Sequence, residues 1–340
     1  MHPKPKQARP AHAPPAQTVF LIAAAGLAVF LVGGVTIWAQ WQSGRGGRPT
    51  HTVSDLTLDD IPFNGARAYD YLKQLCDIGP RPSGSEGMVR QQALLEEHFQ
   101  KLGGEVRFQR FQYRHPVDGS PVPIGNLIVH WHPDRKDRIL LCAHYDTLPY
   151  PLLDPINPKG RFVGANDGAS GTALLMEMAH MIPDLDTRYG IDFVLFDAEE
   201  FIFDMNHRFF VGSEYFARQY VNQPPPYRYR WGVLVDMIGD ADLQIYKERH
   251  SISWPQTRQL VEQIWATARR LGVREFVHRP KHAIRDDHIP LNLIAGIPTA
   301  CIIDFDYPPW HTEADTPDKC SPESLAKVGW VLWEWLKNVQ

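Results

Sequence analysis

Two adjacent glutamates, Glu199 and Glu200, follow Asp197 at the end of the apolar run "IDFVLF". Unpaired acids normally stay out of protein cores, so neighbouring carboxylates at the end of a predicted buried strand need a chemical reason. Adjacent residues that leave a strand point in different directions, which lets one carboxylate bind a metal ion while the other faces a substrate. The spacing by itself does not say which glutamate has which role.

Other acids and histidines follow predicted strands in the same way. The run "RILLCA" leads to His144 and Asp146, "WGVLV" leads to Asp236, and "ACIIDFDYPPW" leads to His311, while Asp167 lies in a glycine-rich turn before a predicted helix. Ligands of α/β sheets bind outside the carboxyl ends of the strands. Imidazoles mixed with carboxylates, without a nearby thiolate, favour zinc or a similar divalent ion over calcium or magnesium. The sequence therefore predicts a metal site, although singly Asp167 could be a helix cap and His144 a core histidine bonded to Asp146.

The composition is that of an ordinary globular protein. The chain has 340 residues and a net charge of −4, so we expect a domain with a sizeable core, and the lack of a basic excess excludes nucleic acid as an expected partner. The cysteines, Cys76, Cys142, Cys301 and Cys320, are too widely spaced for a structural zinc site. Cys142 and Cys301 lie in apolar, strand-like runs and are predicted to be buried free thiols.

The amino terminus predicts a membrane anchor. Residues 1–18 form a polar, proline-rich tail, and an uncharged apolar run from Val19 to Ala39 follows it. As a helix this run would be about 31 Å long, enough to cross a bilayer core. It is longer than the apolar part of a signal peptide and apolar on all faces, so we predict one uncleaved transmembrane helix at 19–40 rather than a buried core helix.

A small charge bias gives the anchor an orientation. Basic residues are slightly more numerous before the run than directly after it, which favours a cytoplasmic tail; they are Lys4, Lys6 and Arg9 on one side and Arg45 and Arg48 on the other. We therefore expect a single-pass membrane protein whose main domain is extracytoplasmic. Residues 41–61 are predicted to be a flexible linker, and residues 62–340 a single domain.

Hydrophobic periodicity predicts an α/β fold for that domain. Alternating residues predict strands at "VRFQRFQYR" and "NLIVHWH", and apolar runs predict buried strands at "RILLCAHYD", "IDFVLFDAEE", "WGVLVDMIGD" and "IPTACIIDF". The order predicts a largely parallel central sheet covered by helices. Helices are predicted around 66–75, 85–103, 168–182, 208–221 and 256–271, and a last one is predicted after the N-cap Ser321.

Short motifs in chain order resemble those of the zinc aminopeptidases and their relatives, the glutaminyl-peptide cyclotransferases. The resemblance covers roughly residues 63–338 and implies a central mixed, largely parallel, twisted sheet flanked by helices. The motifs are His144-Tyr145-Asp146, Gly164-Ala165-Asn166-Asp167, Asp197-Ala198-Glu199-Glu200, Asp236-Met237-Ile238-Gly239, Asp286-Asp287-His288-Ile289-Pro290 and Trp310-His311-Thr312.

The two families that the motifs resemble act on peptide or protein N-termini but catalyse different reactions. In the aminopeptidases, two zinc ions activate water, which cleaves off the N-terminal residue. In the cyclotransferases, one zinc ion polarises the side-chain amide of an N-terminal glutamine, the α-amine attacks it, ammonia leaves and pyroglutamate remains. Both reactions need a Lewis acid and a carboxylate that moves protons.

The resemblance also implies a role for each residue. Glu199 would be the general base and acid, and Asp236 and Asp286 would hold the α-amine and the tetrahedral intermediate. In the two-zinc relatives Asp167 bridges both ions, while His144 and Asp236 hold the second, so counting ligands does not separate the families. The implied ligands of a single zinc ion are Asp167, Glu200 and His311.

The residues around the implied zinc site favour the cyclotransferases. Trp310, next to the implied ligand His311, corresponds to a tryptophan that packs against the substrate glutamine in that family. Tyr307 and Ile284 correspond to pocket walls, and the long stretch from Phe201 to Phe210 is also cyclotransferase-like. Against this, aromatic residues beside prolines often only pack a loop.

Several departures from the cyclotransferase pattern are present. The segment "NDGASGTA" is closer to the aminopeptidases, and Thr172 occupies the position of a half-cystine in the animal cyclotransferases, so their disulfide is not expected. Met205 replaces a second active-site tryptophan. Arg285 replaces a glutamine and either changes which residues are accepted after the N-terminal glutamine or faces solvent.

The sequence thus predicts a glutaminyl-peptide cyclotransferase with one zinc ion. The first alternative is an aminopeptidase with two. A second alternative, a catalytically inert binding domain tethered to the membrane, is disfavoured because neither a metal ligand nor the general base is missing.

Overall fold

The computed structural model describes residues 53–339. The predicted polar tail (1–18), the predicted anchor (19–40) and the linker before residue 53 lie outside the described residues. Within the described range, no helix combines the length and the apolar character needed to cross a membrane. Ser54, which falls in the predicted linker, is buried, and its backbone N–H and hydroxyl both donate to the Glu275 carboxylate.

A mixed six-stranded sheet forms the centre of the domain. Its strands are β1 (Glu105–Arg114), β2 (Pro121–Trp131), β3 (Asp137–His144), β4 (Gly190–Phe196), β5 (Arg228–Asp236) and β8 (Thr299–Ile303), and a separate parallel pair consists of β6 (Ile245–Lys247) and β7 (Phe276–Pro280). The spatial order of the sheet is β1-β2-β4-β3-β5-β8. Strands β1, β2 and β4 pair antiparallel, whereas β4, β3, β5 and β8 run parallel. This confirms the predicted α/β fold with a mixed sheet.

The burial of each strand follows its sequence pattern. Every residue of β4 is buried, as are all residues of β3 after Asp137, because strands covered by helices on both faces are continuously apolar. The edge strand β1 alternates between exposed and half-buried residues over most of its length, as expected for a strand with one solvated face. The four predicted buried strands are therefore confirmed as β3, β4, β5 and β8.

Helices flank the sheet. The last helix begins as predicted, with the Ser321 hydroxyl accepting the backbone N–H groups of Glu323 and Ser324. The helices are α1 (Gly65–Asp77), α2 (Glu86–Lys101), α3 (Ala169–Met178), α4 (Val211–Asn222), α5 (Arg249–Ser253), α6 (Pro255–Leu271), α7 (His288–Leu293) and α8 (Pro322–Asn338).

Helix α3 lies unusually close to the sheet. All its residues are buried, and a Cβ atom added to Gly171 would lie only 2.5 Å from the Val235 carbonyl oxygen in β5. Gly168 precedes the helix with a φ of 96°, a conformation that glycine adopts without strain. Small residues thus allow α3 to approach the carboxyl ends of the strands and place Asp167 there.

Some element boundaries differ from the prediction. Helix α4 starts at Val211 rather than at 208 because Phe210 has a φ of 61° and cannot be helical. Helix α3 ends at Met178, before a short 3-10 turn at Ile182–Asp184. The short elements α5, α7, β6 and β7 were not predicted, since segments of three to six residues carry too little periodicity to detect. The cysteines are free and buried.

Candidate active site

The predicted site residues converge at the carboxyl edge of the sheet. His144 is the last residue of β3 and pairs with Phe196, the last residue of β4. Asp236 ends β5, and Glu199 and Glu200 follow β4 in the next turn. Parallel strands bring these ends together, so residues distant in sequence become neighbours.

Backbone strain is concentrated at this edge. Ala198, Met237 and His311 have positive φ angles of 58°, 45° and 59°, although side chains disfavour this region. Each is itself a predicted site residue or adjoins one. Strained residues that persist in a fold mark positions that the surrounding structure holds firmly, and such positions cluster at functional sites.

Asp146 holds the two glutamates in place. Its carboxylate oxygens accept the backbone N–H groups of Glu199 (3.1 Å) and Glu200 (3.2 Å). The Glu200 side chain turns inward, where its Oε1 accepts the N–H of Leu148 at 2.7 Å. Glu200 is 1% exposed, whereas Glu199 is 9% exposed and lines a cavity with its neighbour. The two carboxylates therefore have different neighbours: Glu200 Oε2 lies 3.2 Å from His311 Nε2, whereas Glu199 Oε2 lies 3.9 Å from His144 Nδ1.

Asp315 holds the backbone of Asp167 in place, as Asp146 holds the backbone of the two glutamates. Its oxygens accept the backbone N–H groups of Asn166 (2.8 Å) and Asp167 (3.1 Å), and the Tyr307 hydroxyl donates to it at 2.7 Å. Sequence reasoning missed Asp315, because an acid in the polar stretch "HTEADTP" carries no local signal of burial. Only the fold shows that it lies beneath the turn that contains Asp167.

The His311 imidazole lies at distances from Asp167 and Glu200 that would suit a shared divalent ion. His311 Nε2 lies 3.4 Å from Asp167 Oδ2 and 3.2 Å from Glu200 Oε2. Tetrahedral zinc with bonds of about 2.0–2.2 Å places its ligand atoms about 3.3–3.6 Å apart. Buried Asp167 Oδ2 has no hydrogen-bond partner among residues 53–339. Burial lowers the pKa of His311 to about 4, which leaves the imidazole neutral, the form that binds metals.

His144 lies beside this trio. Its Nε2 is 3.2 Å from both Asp167 Oδ1 and Asp236 Oδ1, so a second ion could be bound there. Ligand atoms of His144, Asp167 and Glu200 all lie within 4.8 Å of one another. Although burial opposes it, the carboxylates of Asp236, Asp146 and Asp167 raise the pKa of His144 well above its usual range.

A cavity of about 530 Å³ opens above these ligands. Trp310 and Ile284 line it as predicted, whereas Tyr307 is buried behind the wall and is not among the lining residues. The Trp310 ring lies 4.1 Å from the His311 ring and 4.8 Å from that of Phe305. The cavity thus combines an apolar wall with an acidic floor.

Three further acids, which do not belong to the proposed ligand trio, line the cavity. Burial raises the pKa values of Glu199, Asp236 and Asp286, and for Glu199 the nearby Asp286 and Asp287 raise it further, although His144 opposes the shift. A carboxyl whose pKa is raised binds a proton more readily than an ordinary carboxylate, which suits it to accept a proton and return it. Glu199 therefore has the environment of a general base and acid.

A buried group that the sequence did not predict surrounds Asp286. The Cys301 thiol contacts Asp286 Oδ2 at 3.6 Å, and the backbone N–H of Asp287 donates to Asp286 Oδ1 at 2.6 Å. His288 Nε2 lies 3.4 Å from Glu248 Oε2. Ligand atoms of Asp286, His288 and Cys301 lie within 4.8 Å of one another; we interpret this cluster as support for Asp286.

The positions that depart from the cyclotransferase pattern also have defined places. The Thr172 hydroxyl donates to the carbonyl oxygens of Gly168 (2.9 Å) and His144 (3.2 Å), linking α3 to the end of β3. Met205 is 44% exposed and lines the cavity, as does Arg285. Both therefore lie where they can contact a substrate.

Comparison with known proteins gives consistent matches. Residues 126–336 match Peptidase family M28. A glutaminyl cyclase of Fimbriiglobus ruber is 40% identical, with 86% of this chain and 99% of that chain covered and a TM-score of 0.78. A leucine aminopeptidase precursor of Bacteroides thetaiotaomicron is 30% identical, with 82% and 99% covered and a TM-score of 0.77. A glutaminyl-peptide cyclotransferase-like protein of Mus musculus is 25% identical over 74% of this chain and 70% of its own length.

The support that Asp146 gives to both glutamates can be tested. Asp146→Asn replaces one acceptor oxygen with an NH₂ group that faces a backbone N–H, so we expect zinc affinity to fall at least about tenfold, as for other residues that position metal ligands. Competition with a chromogenic chelator measures the affinity. Asp118→Asn, in an exposed turn where Asp118 also accepts a backbone N–H, is the control. Equal zinc affinities of the two variants would refute the role of Asp146.

Proposed function

The chain belongs to peptidase family M28, and we propose that within it the protein is a glutaminyl-peptide cyclotransferase. It converts the N-terminal glutamine of peptides to pyroglutamate and releases ammonia. The observation that carries the proposal is the 40% identity to a glutaminyl cyclase over 86% of the chain. The site supports it, because a potential general base lies beside a zinc-binding trio and an apolar wall.

The proposed roles are those that the resemblance to the cyclotransferases implies. Zinc, when bound by Asp167, Glu200 and His311, supplies Lewis-acid polarisation of the glutamine side-chain carbonyl. Burial keeps His311 neutral, and the hydrogen bonds from Leu148 to Glu200 and from the Asp167 backbone to Asp315 hold the two carboxylate ligands. The trio is thus organised before an ion binds.

Glu199 moves the proton. As the substrate α-nitrogen bonds to the side-chain carbonyl carbon, Glu199 takes a proton from that nitrogen. It then returns the proton to the amide nitrogen, whose bond to carbon breaks, and ammonia leaves. Glu199 suits both steps because its environment raises its pKa, and the backbone bond to Asp146 fixes its direction.

Asp236 and Asp286 hold the reacting amine. Both line the cavity floor and both have raised pKa values because they are buried. Two close acids in one site share a proton more readily than they carry two charges. The pair can therefore accept hydrogen bonds from the α-amine, while Trp310 and Ile284 pack against the aliphatic part of the glutamine.

A second candidate is a two-zinc aminopeptidase. The specific observation in its favour is the position of His144, whose Nε2 lies 3.2 Å from both Asp167 and Asp236, the arrangement that a second ion needs. The similarity to a leucine aminopeptidase precursor at 30% identity points the same way. The higher identity to a cyclase leads us to favour cyclisation.

We further propose that residues 19–40 anchor the protein in a membrane with the catalytic domain on the extracytoplasmic side. The support is the uncharged apolar run and the basic residues that precede it. An enzyme placed there would meet the N-termini of secreted or surface peptides.

Mass spectrometry tests the reaction. We expect the purified protein with zinc to convert a peptide with an N-terminal glutamine to the product that has lost ammonia, with about one zinc ion per chain. Removal of zinc by a chelator should stop the conversion, and added zinc should restore it. Release of the whole N-terminal residue instead, with two ions per chain, would favour the aminopeptidase.

Replacing each glutamate by glutamine tests which of the two transfers protons and which binds zinc. Glu199→Gln should retain zinc and lower kcat by about 10²-fold or more, as expected for loss of a general base. Glu200→Gln should lower zinc affinity, because the amide is a weaker ligand than the carboxylate. Zinc analysis and kinetics on both variants check this, and the reverse pattern would mean that the two roles are exchanged.

Fractionation tests the anchor. We expect the full chain to stay with membranes after alkaline carbonate extraction, because about 20 apolar residues suffice to span a bilayer. Protease added to sealed membrane vesicles whose extracytoplasmic side faces outward should degrade the catalytic domain. Release into the soluble fraction at alkaline pH would contradict the anchor, and protection from protease would contradict the orientation.

A further inference from the structure

We propose that Arg285 makes the enzyme selective for peptides that carry aspartate or glutamate at the first or second position after the N-terminal glutamine. This inference rests on the proposed cyclotransferase function and adds the class of substrate. It comes from the position of one cation at the mouth of the cavity and from the charges around it.

The backbone on both sides of Arg285 is fixed. The N–H of Ile284 donates to Glu248 Oε1 at 3.0 Å, and Glu248 also caps α5. On the other side Asp286 is buried and accepts the N–H of Asp287. Arg285 itself is exposed and lines the cavity. A flexible cationic side chain is thus held at a defined point on the rim.

Arg285 differs from its basic neighbours because its charge is not compensated. Arg208, which also lines the cavity, is ion-paired with Glu214, and Lys281 is ion-paired with Asp306. Within the described part of the chain, no carboxylate lies within 4.0 Å of the Arg285 guanidinium. The guanidinium is therefore available to a substrate.

The burial of the lining residues gives the direction of the substrate. Asp167, Glu200 and Asp286 at the floor are at most 3% exposed, whereas Met205 at the rim is 44% exposed. The glutamine side chain must reach the floor for reaction, so the rest of the peptide leaves through the exposed end. The residues after the glutamine consequently pass Arg285.

The positive charge of Arg285 then favours peptides whose residues after the glutamine are acidic. A guanidinium donates two parallel hydrogen bonds to a carboxylate, whereas it repels a lysine or arginine of the substrate. Among the described residues, the rim carboxylate Glu214 is already bound by Arg208 and Arg218, so it is less available to a basic substrate. Acidic residues are therefore favoured and basic residues disfavoured.

Steady-state kinetics with four amidated peptides test the selectivity: Gln-Ala-Ala, Gln-Glu-Ala, Gln-Ala-Glu and Gln-Lys-Ala. For the wild-type protein at low salt, we expect at least one glutamate peptide to exceed Gln-Ala-Ala in kcat/KM by about threefold to fivefold, the value of a partly exposed ion pair. Gln-Lys-Ala should be the poorest substrate. About 1 M salt should reduce the differences.

Variants are compared by the ratio of kcat/KM for the better glutamate peptide to that for Gln-Ala-Ala, which cancels any general loss of activity. Arg285→Gln should bring this ratio to about one, and Arg285→Glu should favour Gln-Lys-Ala. Arg208→Gln should change the ratio less, because Glu214 already compensates Arg208. Arg90→Gln, on the exposed face of α2, is the distant control.

The outcomes separate the two proposals. If no peptide is cyclised, the proposed function is wrong. If all four are cyclised with equal kcat/KM, or if Arg285→Gln keeps the wild-type ratio, the function stands and the inference about Arg285 is wrong. An effect of Arg208→Gln as large as that of Arg285→Gln would also overturn the assignment to the uncompensated cation.

Discussion

Repulsion between buried carboxylates is the constraint on which the site depends. Asp146, Asp167, Glu200, Asp236 and Asp286 are each at most 8% exposed and lie at one edge of the sheet. Burying a charge without a partner is costly, and several like charges in a small volume raise that cost. Part of the cost is offset by protonation, as the raised pKa values show. A divalent cation offsets it more effectively, so the fold and the metal support each other.

Two buried carboxylates that do not line the cavity fix the backbone of the residues that do. Asp146 and Asp315 each accept two consecutive backbone N–H groups, one from a proposed metal ligand and one from its neighbour in the chain. The bonds to Asp146 also hold the segment next to the strained residue Ala198, whose conformation would otherwise be unfavourable. A site built in this way is rigid where the ligands lie, which is what precise metal geometry requires.

The floor and the rim of the cavity face different parts of a peptide substrate. Its floor and the Trp310 wall suit one amino-acid side chain and the chemistry at its amide, whereas its rim meets residues that vary between peptides. Peptide hydrolysis and glutamine cyclisation both need a Lewis acid beside a proton-transferring carboxylate, so a floor of this kind would suit either reaction. Differences in reaction and in substrate choice therefore lie mainly in the walls and the rim, and fold alone does not decide them.

The sequence by itself determined the α/β class, the buried strands and the acids and histidines at their ends, because hydrophobic periodicity and residue type are local properties. It did not determine the roles of Glu199 and Glu200 from spacing, since adjacent side chains at a strand end are equivalent until something fixes their backbone. The tertiary structure decided their directions through Asp146, 53 residues from Glu199. It likewise placed Tyr307 behind the wall, bonded to Asp315. Such contacts join residues that only folding brings together, so no local pattern could reveal them.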